Sequence, residues 1–411
     1  MQVCGTTYRC ILLYADDIAL LAPSAENLQS LLDIVFDWCQ KFRMSINEEK
    51  TNIVHFRRKS EPQDSFGFSF GDTVLNTVDK YKYLGCVLNE FLDYSCTMNI
   101  LAESSSRALA SIINTSIKES SLPFKTFTKL YNSCVVPVMD YCAGVWGYPS
   151  FDKPQVVQNR ALRSFLGVHR FTSTAAVSGD TGWIPPVVRR HVAMVALWCR
   201  LLRMDESRLT KRVFQWDWNH KGKTWSYNVR GILRKCNIPV PDSVSAVTVN
   251  RAATLALVEG KLFDIHKSKW AANRLQQSKL KIYNMYKVSY SVEPYVEANL
   301  PRSQRSLIAR LRSGTLPLNI ETMRFGLFYK PEDRLCTYCK KVEDENHFVF
   351  DCKLFENIRL SFFAILGNDF LRLKKEEQWN IFMSKHLIYK FANYIQKIFH
   401  QRQLVLSEIK A

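Results

Sequence analysis

The stretch ILLYADDIALLA, residues 11–22, sets two adjacent aspartates, Asp16 and Asp17, inside apolar sequence. Two like charges a few Å apart repel by roughly 4 kcal/mol at an effective dielectric of about 20, so the pair asks for a counter-charge. Divalent cations supply one. In a two-metal site one ion lowers the pKa of an attacking hydroxyl and the other stabilises the leaving oxygen of a phosphoryl transfer. Magnesium suits such a pair because it takes hard oxygen ligands, often one or two carboxylates plus phosphates. Aspartate also favours plain turns, and the dipeptide by itself leaves both readings open.

A second set of ligand-type residues is Cys336-x2-Cys339-x7-His347-x4-Cys352. Three thiolates and one imidazole at this spacing suit a structural zinc site, tetrahedral and closed, with no position left for catalysis. CTYC reads as a turn and ENHFVFDC as a short helical stretch. Phe348 and Phe350 are expected to form a small core, and a module with so few apolar residues is expected to fold only with zinc. Lys340, Lys341 and Lys353 could meet phosphate or be plainly solvated. His191 and His266 have no partner at ligand spacing and read as surface or packing residues. The other nine cysteines are scattered, mostly beside apolar residues, and read as buried, reduced thiols.

Two further segments stand out by charge. Residues 211–235 hold seven basic residues against Asp217 alone, and residues 261–287 hold seven against Asp264 alone. The first interleaves Phe214, Trp216, Trp218, Trp225 and Tyr227 with the basic positions. Lysines such as Lys221 and Lys223 can track phosphates while Trp216, Trp218 or Trp225 stacks on unpaired bases. A helical surface with core-facing aromatics and solvated lysines fits the same pattern.

The elements that must position these groups can be read from periodicity. Apolar runs on both sides of Asp16-Asp17 predict a hairpin with the aspartates at its tip. Ser24 reads as the N-cap of a helix whose apolar face is Leu28, Leu31, Leu32, Val35, Cys39 and Phe42. MSINEEKTNIVHF is expected to turn through Asn47 and return as a strand of Ile53, Val54 and Phe56, followed after a polar loop by short strand-like pieces through YKYLGCVL. From about Tyr94 the pattern is helical. Pro137 should end or kink its helix, and TSTAAVSGDTGWIPP reads as a loop before a helix from Val187 to about Met204.

The chain has 411 residues, 47% of them hydrophobic and 23% charged, with a net charge of +18. That is a globular composition with room for two to four domains, and its sign favours a polyanionic partner or an anionic membrane surface. No apolar run is long enough to span a bilayer and MQVCGTTYRC does not look like a signal peptide. The expected location is intracellular, nucleus or cytoplasm, with no membrane partner.

Five of these motifs, in collinear order, resemble a known family. YADD with its apolar flanks resembles the catalytic palm hairpin of reverse transcriptases. MSINEEKTNIVHF resembles the palm motif that follows it, and YKYLGCVL the primer-grip turn, centred on Leu84 and Gly85. YNSCVVPVMDYCAGVWG and QNRALRSFLGVHR look like the helices after the palm in non-LTR (LINE-type) retrotransposon polymerases, and LCTYCKKVEDENHFVFDC like their terminal zinc knuckle. The resemblance implies an α+β fold: a partial palm with a small antiparallel sheet and a helix over 1–93, and a helical thumb over 94–205. A basic, aromatic-rich helical region over 206–330, the knuckle over 331–356 and C-terminal helices over 357–411 would follow. It makes Asp16 and Asp17 ligands of Mg2+, places Tyr14 near the primer end or nucleotide, and gives Lys50 a role at the incoming phosphates. Zn2+ would be structural, and RNA template with DNA primer or target would be the partners.

The same resemblance expects a third carboxylate on a strand upstream of YADD, a nucleotide-pocket motif and fingers. The thirteen residues before Tyr14 contain no Asp or Glu. The expectation is the C-terminal part of such a polymerase, from a truncated copy or a partial gene model. Its function would be target-primed reverse transcription, incomplete in this chain alone. A non-catalytic RNA- or DNA-binding protein with a zinc knuckle is the alternative, and a zinc-stabilised protein-interaction domain a third reading.

Overall fold

The computed structural model describes residues 2–3, 6–7, 10–118, 122–244, 248–322 and 331–410. The chain forms two compact units, one of residues 1–101, 140–150 and 189–259, the other of 102–139, 151–188 and 260–411. The chain returns to each unit more than once, so these units do not follow the sequential division at 93, 205, 330 and 356. Among the described residues no helix is long and apolar enough to cross a membrane.

Among the described residues the ten strands all lie in the first unit: β1 Gln2–Val3, β2 Thr6–Thr7, β3 Cys10–Tyr14, β4 Asp17–Leu21, β5 Asn52–Ile53, β6 Ser69–Phe70, β7 Thr73–Val74, β8 Asn76–Thr77, β9 Lys80–Tyr83 and β10 Cys86–Asn89. The expected small antiparallel sheet is instead five separate pairs, β1-β2, β3-β4, β5-β8, β6-β7 and β9-β10, of which β5-β8 is parallel. The strand expected at Ile53, Val54 and Phe56 shortens to Asn52–Ile53. Beyond it the backbone leaves the ladder: the Arg57 N–H bonds to the Glu90 carbonyl at 2.9 Å.

Helix α1, Ala25–Phe42, forms as its periodicity predicts. The Ser24 hydroxyl accepts the Asn27 N–H at 3.4 Å, and the helix stops at Arg43 in the left-handed region, φ 51°. Leu32 and Cys39 join Ile53, Phe68, Phe70 and Leu75 in the core, with Leu28, Val35 and the β4 residue Leu20 packed against it. Phe42 does not share that burial. At the last turn it is 55% exposed, like Ile34 and Trp38 on the same outer side.

In the second unit every regular element among the described residues is a helix or helical turn. Helix α2, Ser95–Lys118, begins in the first unit and ends here. Helix α3, Phe124–Leu130, runs on through a π turn, Tyr131–Val135, and a last helical turn, Val136–Met139. Pro137 therefore neither ends nor sharply breaks it. The wider π turn takes up the missing N–H and the clash its ring would make with the carbonyl four residues back. The expected loop before residue 186 contains a helix, Thr174–Thr181. Its small side chains are the reason: Ala175 and Ala176 pack on Trp270 and Tyr283, and a Cβ at Gly179 would lie 2.5 Å from the Tyr283 hydroxyl. Burial of a small-residue face outweighs the weak helix propensity of Ser, Thr and Gly. The following helix, Pro186–Leu202, lies where expected.

Candidate functional site

Sequence places Asp16 and Asp17 at a hairpin tip, and β3 pairs with β4 so that Tyr14 faces Asp17 across a two-residue turn of Ala15 and Asp16. Ala15 adopts φ 51°. A non-glycine residue there costs on the order of 1–2 kcal/mol, and such strain concentrates at functional turns. Both aspartates are exposed. The hairpin also exposes apolar side chains, Leu13 at 71% and Tyr14 at 63%. Among the described residues no third carboxylate, histidine or cysteine joins Asp16 and Asp17 as a set of three possible metal ligands.

The second hairpin, β9-β10, closes on Leu84 and Gly85, with Cys86 opposite Tyr83. Both turn residues are left-handed, φ 46° and 81°, which favours glycine at the second position. The Tyr141 hydroxyl donates to the Leu84 carbonyl at 2.9 Å, and a Cβ at Gly85 would sit 3.0 Å from the Tyr141 ring. Thr97 of α2 holds β10 just past the turn, accepting the Val87 N–H at 3.0 Å and donating to the Val87 carbonyl at 2.5 Å.

Tyr141 stands on a braced segment. Its carbonyl accepts the Trp146 indole N–H at 2.8 Å, and the Gly144 carbonyl accepts that of Trp225 at 2.8 Å. The Tyr141 hydroxyl is pushed above its ordinary range, first by the adjacent Cys142 thiol and to a lesser degree by Tyr14 and Cys86. Tyr141 thus braces the Leu84-Gly85 turn through both its hydroxyl and its ring. Sequence reasoning did not single out Tyr141, although it lies inside the quoted YNSCVVPVMDYCAGVWG.

Lys50 ends a helical turn, Glu48–Lys50, that Asn47 caps through its side chain. Lys50 is exposed, and its carbonyl accepts the Tyr81 hydroxyl of β9 at 3.1 Å. The backbone of this motif is therefore tied to the Leu84-Gly85 hairpin, while its ammonium points to solvent. No hydrogen bond or ion pair links Lys50 to Asp16 or Asp17 among the described residues.

The two basic segments sort by partner. Lys221 and Lys223 are exposed in the turn between the helices Leu209–Asn219 and Trp225–Lys235. Trp216 is 37% exposed and stacks on His220, ring centroids 5.1 Å apart. Trp218 is buried, with its N–H on the Pro241 carbonyl. Trp225 is not free to stack on a base either: half-buried, with its N–H spent on Gly144, it packs edge-on to Phe214. In 261–287, Lys287 is buried against Glu293 and Arg274 donates to Asn284, so both serve the fold. Lys261, Lys269 and Lys281 are exposed.

Cys336, Cys339, His347 and Cys352 come together with one ligand atom each within 4.8 Å of the others. Cys352 Sγ lies 3.8 Å from Cys336 Sγ and 3.7 Å from Cys339 Sγ. A tetrahedron of thiolates at the usual Zn–S distance of about 2.3 Å has edges of about 3.8 Å. His347 Nε2 is buried without a hydrogen-bond partner, the orphan donor or acceptor that a metal site predicts. The Cys352 thiol hydrogen-bonds Cys336, which drives the Cys336 pKa well down and that of Cys352 up. A left-handed Lys340, φ 57°, folds the CTYCK turn, and the Lys353 N–H reaches Cys339 Sγ at 3.3 Å. These residues fit a closed, structural zinc set.

The module's core is larger than expected. Phe350 stacks on Phe382 at 5.6 Å, Phe348 meets Phe399, and the Tyr394 hydroxyl donates to the Val349 carbonyl. Arg402 pairs with the buried Glu343 at 2.6 Å. The module is one body with the terminal helix Ile388–Lys410. Elsewhere, of the two alternatives read for it, surface or packing, His191 takes packing, and Cys39, Cys199 and Cys236 are buried as read, but Cys134 and Cys142 are exposed. Cys4 lies outside the described residues.

Residues 3–88 match the family model described as reverse transcriptase (RNA-dependent DNA polymerase). That stretch contains the aspartate hairpin, Lys50 and the Leu84-Gly85 turn. Over 221 residues the chain is 26% identical to "Probable RNA-directed DNA polymerase from transposon BS" of Drosophila melanogaster, covering 48% of this chain and 24% of that protein. It is 27% identical over 176 residues to "RNA-directed DNA polymerase from mobile element jockey" of Drosophila funebris, covering 41% of this chain and 19% of the relative. No solved structure matches. The hairpin and the matched stretch define a reverse-transcriptase segment. Beyond that segment the chain is similar to RNA-directed DNA polymerases of transposons and mobile elements, and it spans about a quarter or less of the length of these two relatives.

Proposed function

We propose that the chain grips the primer end and template of a reverse-transcription complex, and that polymerisation needs a carboxylate beyond Asp16 and Asp17. The observation that carries this reading is the exposed aspartate tip inside the stretch 3–88 that matches the reverse-transcriptase model, which also holds a Leu84-Gly85 turn braced by Tyr141. An enzyme that fixes a primer terminus beside its metals needs both a carboxylate tip and a fixed turn to hold the strand. Asp16 and Asp17 would hold Mg2+, which supplies charge stabilisation at the transferring phosphate. Lys50 offers an exposed ammonium to the incoming phosphates, and Lys221 and Lys223 to the strand. Cys336, Cys339, His347 and Cys352 would hold structural zinc.

Two exposed carboxylates leave most of a magnesium shell to water, and no third ligand stands beside them among the described residues. The chain alone is therefore expected to bind single-stranded RNA in a salt-dependent way and to leave a primer unextended. Primer extension on an RNA template, with filter binding in parallel, tests both halves. Template-directed synthesis that disappears in Asp16→Asn overturns the incomplete site. Absence of RNA binding at low salt overturns the nucleic-acid role.

A further inference from the structure

In the first unit, the C-terminal end of the helix Pro186–Leu202, the turn that follows it and the first residue of the helix Arg251–Leu275 border a groove of about 730 Å3. Four guanidiniums line it, those of Arg200, Arg203, Arg208 and Arg251, all exposed. Leu197 and Met204 supply apolar lining. One carboxylate reaches the groove, Asp205, and it is spent locally on the Ser207 N–H at 2.9 Å and on the Ser207 hydroxyl. Arg203 is anchored by its bond to the Val249 carbonyl at 3.1 Å. Among the described residues no ion pair joins any of the four to a carboxylate. The surrounding stretch 189–259 carries thirteen Lys and Arg against five Asp and Glu.

Four arginines facing one groove repel one another, and the one carboxylate there, Asp205, which Ser207 first and then Arg208 help to keep ionised, offsets only part of their charge. An anion would offset the rest. Arginine presents a planar fork that matches phosphate oxygens in pairs, where lysine offers a point charge. Enclosed, mostly apolar walls characterise small-ligand pockets. Here the charged groups stand in solvent around a groove too large for a single phosphate, which suits a run of linked phosphates. Leu197 and Met204 give the sugars an apolar surface.

We infer that this groove seats the sugar–phosphate backbone of a nucleic-acid strand on Arg200, Arg203, Arg208 and Arg251. The contacts fix the strand's path and carry no sequence information. This inference rests on the nucleic-acid role proposed above and adds a seat made of residues outside the aspartate hairpin, the Leu84-Gly85 turn and the Lys221–Lys223 turn.

The test uses the full chain and a fluorescent uridine oligonucleotide titrated at several salt concentrations. The double variant Arg200→Gln with Arg208→Gln should bind about tenfold or more weakly at low salt and lose about 1.4 from the log–log salt slope, two phosphates at about 0.7 each. Arg200→Lys with Arg208→Lys should keep the slope and bind more weakly than the parent, because charge survives and the fork does not. These side chains are exposed, and melting curves should coincide with that of the parent. If the parent binds RNA but the glutamine pair leaves its slope unchanged, the groove is not the seat, while the general nucleic-acid role stands. A slope lost equally in the lysine pair also overturns the assignment. If the parent fails to bind RNA, or binds phosphatidylserine vesicles through these arginines in its place, both readings fall.

Discussion

The two ligand sets of this chain are built in opposite ways. Cys336, Cys339, His347 and Cys352 are brought together by a turn and a helical stretch, the outermost ligands sixteen residues apart, mostly buried and complete in number. Asp16 and Asp17 stand exposed on a hairpin whose apolar strands are themselves uncovered. One set is closed by its own neighbourhood, including a buried Arg402–Glu343 pair and a large aromatic core. The other has no neighbour to complete it among the described residues. A closed set serves stability, because everything it needs is bound before any ligand arrives. An open set serves a reaction, because its remaining coordination positions and its surroundings come with the partner.

The largest expected effect is at the closed set. Metal binding to such sites is worth about 10–16 kcal/mol in isolated fingers near neutral pH. Here the aromatic core supplies part of the stability, so loss of the metal should cost several kcal/mol and leave the core partly ordered. Cys339→Ser should abolish a single equivalent of zinc by elemental analysis and lower the melting temperature of the second unit. A metal-free chain melting with the parent would erase the contrast between the two sets.

A smaller effect is expected beside the open set. Gly85→Ala imposes a Cβ on a left-handed residue and presses it against Tyr141, costing roughly 1–2 kcal/mol. Tyr141→Phe removes the bond to Leu84, worth about 1 kcal/mol. Since the two changes touch one contact, urea denaturation of the double variant should give less than their sum. Strict additivity would mean that Tyr141 does not brace the turn.

The smallest effect sharpens the comparison most. Asp16→Asn alters an exposed, unpaired carboxylate, and its stability should stay within about 0.5 kcal/mol of the parent. A loss above about 1 kcal/mol would make the aspartate part of the turn's architecture and not a waiting ligand.

Much of this organisation could be read without coordinates. The hairpin follows from two apolar runs around a polar dipeptide, α1 from a capping Ser24 and 3.6-residue periodicity, and the Cys and His ligands from spacing alone. These are local rules, and short-range sterics and hydrogen bonds enforce them. Other readings needed neighbours distant in sequence. The helix Thr174–Thr181 exists because Trp270 and Tyr283 cover its small-residue face. Trp225 looked available for stacking until Gly144, 81 residues away, claimed its N–H. Lys287 counted as a surface charge until Glu293 and burial absorbed it.

The sequence by itself determined which residue types can hold metal and phosphate and in what order they come, because ligand chemistry belongs to side chains. Only the tertiary structure decided which of them are free to act. It turned Trp225 into a brace, tied Arg274 to Asn284 and left Lys221 and Lys223 in solvent. It set Arg200, Arg203, Arg208 and Arg251 around one groove from segments some fifty residues apart. The reason is that a charge or an aromatic face is available to a partner only when folding has not already spent it, and that depends on what packs against it, not on its neighbours in the chain.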